Sequence, residues 1–75
     1  MDDFSIAVGK RLKELREARG MNQSAVARKL DLQPNVIWRW EFGSYCPTAI
    51  YLVKLADFFG CTVDELLGRT SNEHS

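Results

Sequence analysis

Histidine is almost missing from this chain, since His74 near the end is the only one, and the two cysteines, Cys46 and Cys61, stand at no spacing that holds a metal. A metal centre is therefore not expected, and the cysteines read as reduced thiols, Cys61 near the core and Cys46 in a loop. Serine, cysteine, histidine and the carboxylates form no constellation with reach for nucleophilic or metal chemistry. The chain is accordingly not expected to be an enzyme, and no cofactor is implied. No apolar run approaches the roughly 20 residues of a membrane span, and the opening Met1-Asp2-Asp3 is acidic where a secretory signal would be basic, which points to the cytoplasm. Five glycines and two prolines are too few for a fibrous or low-complexity chain. An excess of charge is missing too: ten Lys and Arg balance ten Asp and Glu, whereas many nucleic-acid binders are clearly basic.

What is present is an apolar share of 45% in 75 residues, enough for one small core. The apolar spacing is helical. Phe4, Val8, Leu12 and Leu15 mark a first helix with Asp2 and Asp3 as caps and Gly20 as its stop. Asn22 caps a second helix over 23–30 with Val26, Ala27 and Leu30 inward, and Asp31 ends it in the left-handed conformation. Pro34 suits the first position of a third helix running to Phe42, because its ring fixes the dihedral and its absent donor would be unpaired there anyway. After the loop Gly43-Ser44-Tyr45-Cys46-Pro47, Thr48 caps a fourth helix with Ile50, Leu52, Leu55, Ala56 and Phe59 as its apolar positions, ending at Gly60. Thr62 and Glu65 match a capping box that opens a short fifth helix with Val63, Leu66 and Leu67 inside. The expected architecture is all-α, and 69–75 reads as a flexible polar tail.

The informative stretch is 23–42, two short helices joined by Asp31-Leu32-Gln33, with Ala27 small where the helices must cross closely. This is helix-turn-helix spacing. Together with Leu12-Lys13-Glu14-Leu15-Arg16, Asn22-Gln23, Ile37, Trp40-Glu41, Gly43, Pro47, Leu55-Ala56, Gly60 and Asp64-Glu65-Leu66-Leu67, it resembles the Xre/Cro phage-repressor family over 9–68. The resemblance implies a five-helix, lambda-repressor-like domain that binds double-stranded DNA as a transcriptional regulator, a repressor in particular. It further implies helix 34–42 in the major groove and a homodimer on a palindromic operator. Position by position, Asn22 and Gln23 match phosphate contacts at the start of the second helix. Gln33 matches the residue before the reading helix, and Pro34, Asn35, Trp38 and Arg39 match its groove-facing positions. Ser44 and Tyr45 match a phosphate-contacting loop, and Arg16 and Glu41 match an ion pair that ties the first helix to the end of the third.

Helical geometry supports that assignment independently. A turn of about 100° per residue puts Val36, Ile37 and Trp40 on one side of the third helix and Asn35, Trp38 and Phe42 on the other, with Pro34 and Arg39 flanking. Asn35 can pair with adenine and Arg39 with guanine, each through two hydrogen bonds. Three departures from the family pattern matter. Trp38 and Phe42 are large aromatics where smaller or polar residues are usual, and they suit thymine methyls, a protein partner, or packing on Tyr45 and under the following loop. The loop 43–47 has no Lys or Arg, which weakens phosphate attraction. Asp31 replaces a turn glycine.

Charge is unevenly spread, with eight Lys or Arg against five Asp or Glu in 1–40, a net of +3, and −3 in the remainder. A competing reading follows from the neutral total and the bare loop: a protein-interaction module on the same fold, antitoxin-like, docking a protein partner through Trp38, Phe42 and Tyr45.

Overall fold

The first helix, α1 (Asp3–Ala18), begins where Asp2 accepts a hydrogen bond from the Ser5 amide at 2.7 Å, filling one of the unpaired donors of its first turn. The computed structural model describes residues 2–69, so His74 and all but the first residue of the 69–75 tail lie outside the described residues. Four further helices follow, α2 (Gln23–Lys29), α3 (Pro34–Phe42), α4 (Ala49–Phe59) and α5 (Val63–Leu66), with no strand among the described residues. The expected all-α, five-helix order is the observed one.

Local chemistry explains most boundaries. Asn22 caps α2 by accepting from the Ala25 amide at 2.8 Å. The turn after α2 places Asp31 at φ 60°, and the Asp31 and Leu32 amides donate back to the Arg28 and Ala27 carbonyls at 3.2 and 2.8 Å. This paired closure satisfies the orphan carbonyls and swings the chain toward α3. Pro34 stands at the start of α3, Gly43 ends it at φ 93°, and Thr62 with Glu65 closes the capping box of α5. Thr48 stands at the N-cap of α4, but its hydroxyl makes no capping bond; its carbonyl accepts from the Leu52 amide at 2.8 Å instead.

Val8, Leu12, Val26, Ala27, Ile37, Trp40, Leu55, Ala56, Phe59 and Leu66 form one buried core. α1 is its spine, because two arginines on it and a third at its C-cap each fasten another element. Arg16 grips Glu41 at the end of α3, Arg11 donates to the Glu65 carbonyl of α5 at 3.0 Å, and Arg19 donates to the Phe58 and Phe59 carbonyls at 3.2 and 2.7 Å. The last of these sets a cation at the negative end of α4.

Of the apolar positions expected to face inward, two point outward. Phe4 is 51% exposed and Ile50 67% exposed. The buried stripe of α1 runs through Ser5, Val8, Gly9, Leu12 and Arg16, so Phe4 falls to its edge. Ile50 lies almost opposite the Leu55, Ala56 and Phe59 side of α4. Gly9 occupies the inward stripe because α3 comes too near for anything larger: a Cβ there would stand 2.2 Å from the Trp40 carbonyl oxygen and 2.7 Å from that of Glu41.

Cys46 and Cys61 are half-buried and not bonded to each other. Burial pushes both thiols above their ordinary value, which keeps them protonated and unreactive near neutral pH.

Candidate nucleic-acid interface

The sidedness of α3 follows from two anchors. Ile37 and Trp40 are 3% and 6% exposed, locked against the core, and Tyr51 of α4 tilts onto the Trp40 ring with centroids 5.6 Å apart. With those two fixed inward, Gln33, Pro34, Asn35, Trp38, Arg39 and Phe42 face solvent as one surface. Ser44 and Tyr45 continue it into the loop beyond Gly43.

Trp38 and Phe42 neither fold onto Tyr45 nor tuck beneath the loop. One turn apart, they stack on each other with centroids 4.9 Å apart and planes 8° from parallel. Tyr45 is taken by Arg39, whose guanidinium carbon lies 5.7 Å from the ring centroid, within cation–π range. That contact supports the planar guanidinium from behind without consuming its hydrogen-bond donors. Asn35 stands clear at the N-terminal part of the same side.

Behind this surface lies a polar clamp. Arg16 Nε and Nη2 donate to Glu41 Oε2 and Oε1 at 2.6 and 3.0 Å, and Arg16 Nη1 donates to the Met21 carbonyl at 2.8 Å. The two side chains are 11% and 5% exposed, so the pair is a buried one. The Glu41 hydrogen bonds hold the Arg16 guanidinium pKa above its ordinary value. Gln23 joins the clamp, its Nε2 donating to Glu41 Oε1 at 3.0 Å. One amide hydrogen of Gln23 is thus committed internally while the other remains available outward. The Asn22 side-chain oxygen is likewise used in capping α2, which leaves its amide donors free to act at the helix entrance.

The structure brings Asn35, Trp38 and Arg39 together on α3, with Ser44 and Tyr45 following, and sets Gln23 against the far end of α3 through Glu41. Lys13 was not among the residues expected here. It lines a cleft of about 210 Å³ with Gln23, Trp38 and Phe42, and the signal was available: it precedes Arg16 by three residues on α1, so it shares the side that meets α3.

Similarity to known proteins follows the same geometry. The profile of the helix-turn-helix family matches residues 12–66. The HTH-type transcriptional regulator ImmR of Bacillus subtilis (strain 168) is 34% identical over 64 residues, covering 85% of this chain and 50% of ImmR, so the chain spans about half the length of that curated relative. Among solved structures, the S. venezulae BldD DNA-binding domain aligns with a TM-score of 0.76 at 28% identity, over 87% of this chain and 97% of that domain.

Proposed function

Because the chain belongs to the helix-turn-helix family of Xre/Cro type, we propose that it is a sequence-specific regulator of transcription, a repressor, that binds double-stranded DNA by laying α3 in the major groove. One observation carries this reading: Ile37 and Trp40 are buried while Asn35, Trp38 and Arg39 stand exposed on the other side of the same nine-residue helix. Arg39 pairs with guanine O6 and N7, and Asn35 with adenine N6 and N7. Asn22, Gln23, Ser44 and Tyr45 donate to phosphates and fix the register, and Gln33 and Pro34 form the leading end of α3 that enters the groove. The names of ImmR and of the BldD domain describe a regulator and a DNA-binding domain, which supports the same assignment.

The working form is a homodimer on a palindromic operator. A body of 38 × 27 × 22 Å fits two copies side by side on half-sites about 34 Å apart.

Selection from a random duplex pool tests all of this. The expected result is one enriched palindromic motif whose half-site contains guanine and adenine, bound less tightly as salt rises. No enrichment above random duplex, or binding indifferent to salt, would refute it. The second reading, a docking module for a protein partner through Trp38, Phe42 and Tyr45, draws on the exposure of those rings, 50%, 54% and 57%.

A further inference from the structure

Trp38 and Phe42 are the largest side chains of the exposed α3 surface, and base hydrogen bonding by Asn35 and Arg39 gives them no task. Each is about half open to solvent, although a large aromatic is among the most favourable groups a small core can bury. Their mutual stacking fixes both rings and makes a single apolar plate one helical turn long. The plate sits between cations, with Lys13 of α1 lining the cleft beside it and Arg39 next to Trp38 in sequence on the exposed side. Glu41, the one carboxylate lining that cleft, is neutralised by Arg16.

An apolar plate with a cationic margin fits a ligand whose apolar groups lie between anionic rails. In the major groove the apolar group on the base edges is the methyl at pyrimidine C5. Residues four apart are separated by about 6 Å along the helix axis, close to two base steps of about 3.4 Å. The geometry points to Trp38 and Phe42 as the residues that read pyrimidine 5-methyl groups, whether of thymine or of 5-methylcytosine, at positions about two base steps apart beside the bases contacted by Asn35 and Arg39. This inference rests on the DNA-binding reading above and adds a specificity element to it.

The experiment compares three duplexes for the full chain: the selected site, the same site with uracil in place of thymine, and the same site with 5-methylcytosine in place of cytosine. Uracil keeps every hydrogen-bonding group of thymine and removes only the methyl. Burying one methyl contributes about fourfold in affinity. If thymine is the source, uracil at a contacted position weakens the wild type about fourfold, and about tenfold or more at two positions. If methylated cytosine is the source, the third duplex binds tighter by similar factors. The Trp38→Ala/Phe42→Ala double variant, with its helix content checked by circular dichroism, is expected to bind the selected site more weakly and to respond to neither change. Should it fail to fold, Phe42→Ala alone replaces it, with part of the methyl response lost. A wild type indifferent to both base changes, or variants that keep the full response, would overturn the inference while leaving DNA binding intact. A wild type that enriches no duplex would overturn both.

Discussion

Arg39 and Gln23 look alike in the sequence as polar residues of one motif, yet their surroundings, exposed for Arg39 and half-buried for Gln23, assign them opposite kinds of sensitivity. Arg39 rests over the Tyr45 ring and makes no ion pair among the described residues, so its donors point to a ligand and not to the fold. Arg39→Ala is expected to cost about 1 to 3 kcal/mol on the preferred site and to relax specificity at that position, with stability lowered by no more than about 0.5 to 1 kcal/mol, the worth of an exposed cation–π contact. Equal losses on preferred and random duplex would refute the role. Because Tyr45 supports the guanidinium, Tyr45→Ala is expected to lower the same discrimination in part while Tyr45→Phe preserves it, since the ring face and not the hydroxyl makes the contact. Gln23 instead donates to a buried carboxylate. Gln23→Ala is expected to weaken binding to all sequences alike and also to lower stability by about 0.5 to 1.5 kcal/mol, measured by urea unfolding, because Glu41 loses a donor. Loss of binding with no loss of stability would contradict the clamp.

At the scale of elements, the junction of α1 with α3 sets how firmly α3 is held at its angle. Gly9→Ala is expected to destabilise by at least about 1 to 3 kcal/mol, because the new methyl meets two backbone carbonyls that cannot rotate away. Glu41→Ala is expected to destabilise by about 3 kcal/mol, the low end for a broken buried pair, because Arg16 loses its main partner while keeping the Met21 carbonyl and a 3.9 Å contact with Glu17. The pKa of Arg16 is raised, so its contribution is complete below the ordinary arginine value and is lost only as pH climbs through the still higher folded value. Neutral pH therefore leaves the clamp untouched. Asp2 behaves in the opposite sense. The Ser5 amide holds its pKa below the ordinary 3.8, so its cap is fully present above that value and is lost as pH falls through the folded one. Asp2→Asn, which caps without titrating, should remove that acid-limb step from the unfolding profile of α1. The element boundaries were legible in advance because caps and stops are local, whereas the Arg16–Glu41 pair joins distant parts of the chain and was legible only through the family resemblance. Gly9 was not, since nothing local to it shows that α3 passes so close. Nor was the mutual stacking of Trp38 and Phe42, which face a choice among neighbours that sequence spacing cannot rank. Phe4 and Ile50 are apolar but out of phase with the buried stripes of α1 and α4, so their identity points inward while their position points out.

For the whole molecule, the zero net charge is a poorer guide than the use made of each cation. Of the basic residues in 1–40, Arg11, Arg16 and Arg19 are spent fastening α1 to α5, α3 and α4, and Lys29 lines a cleft with Lys54 and Asp57 on the α4 side. Lys13 and Arg39 stand beside the exposed side of α3. With Arg39 given to a guanine, Lys13 is left to meet a phosphate, and one neutralised phosphate per protomer corresponds to a slope of about −1 in a plot of log affinity against log salt, and about −2 for a dimer on a full operator. Binding by a single protomer should consequently be weak, and useful affinity should depend on the second copy. The loop after α3 offers a direct test, because Ser44 is exposed and its neighbours carry no positive charge. Ser44→Lys is expected to strengthen binding to every duplex and to steepen the slope by nearly one per protomer, while the preference between sequences stays as it was, since a phosphate contact carries no base information. Fluorescence anisotropy across a salt series reads both quantities at once. An unchanged slope would mean that the loop does not approach the DNA backbone and that α3 docks in some other orientation.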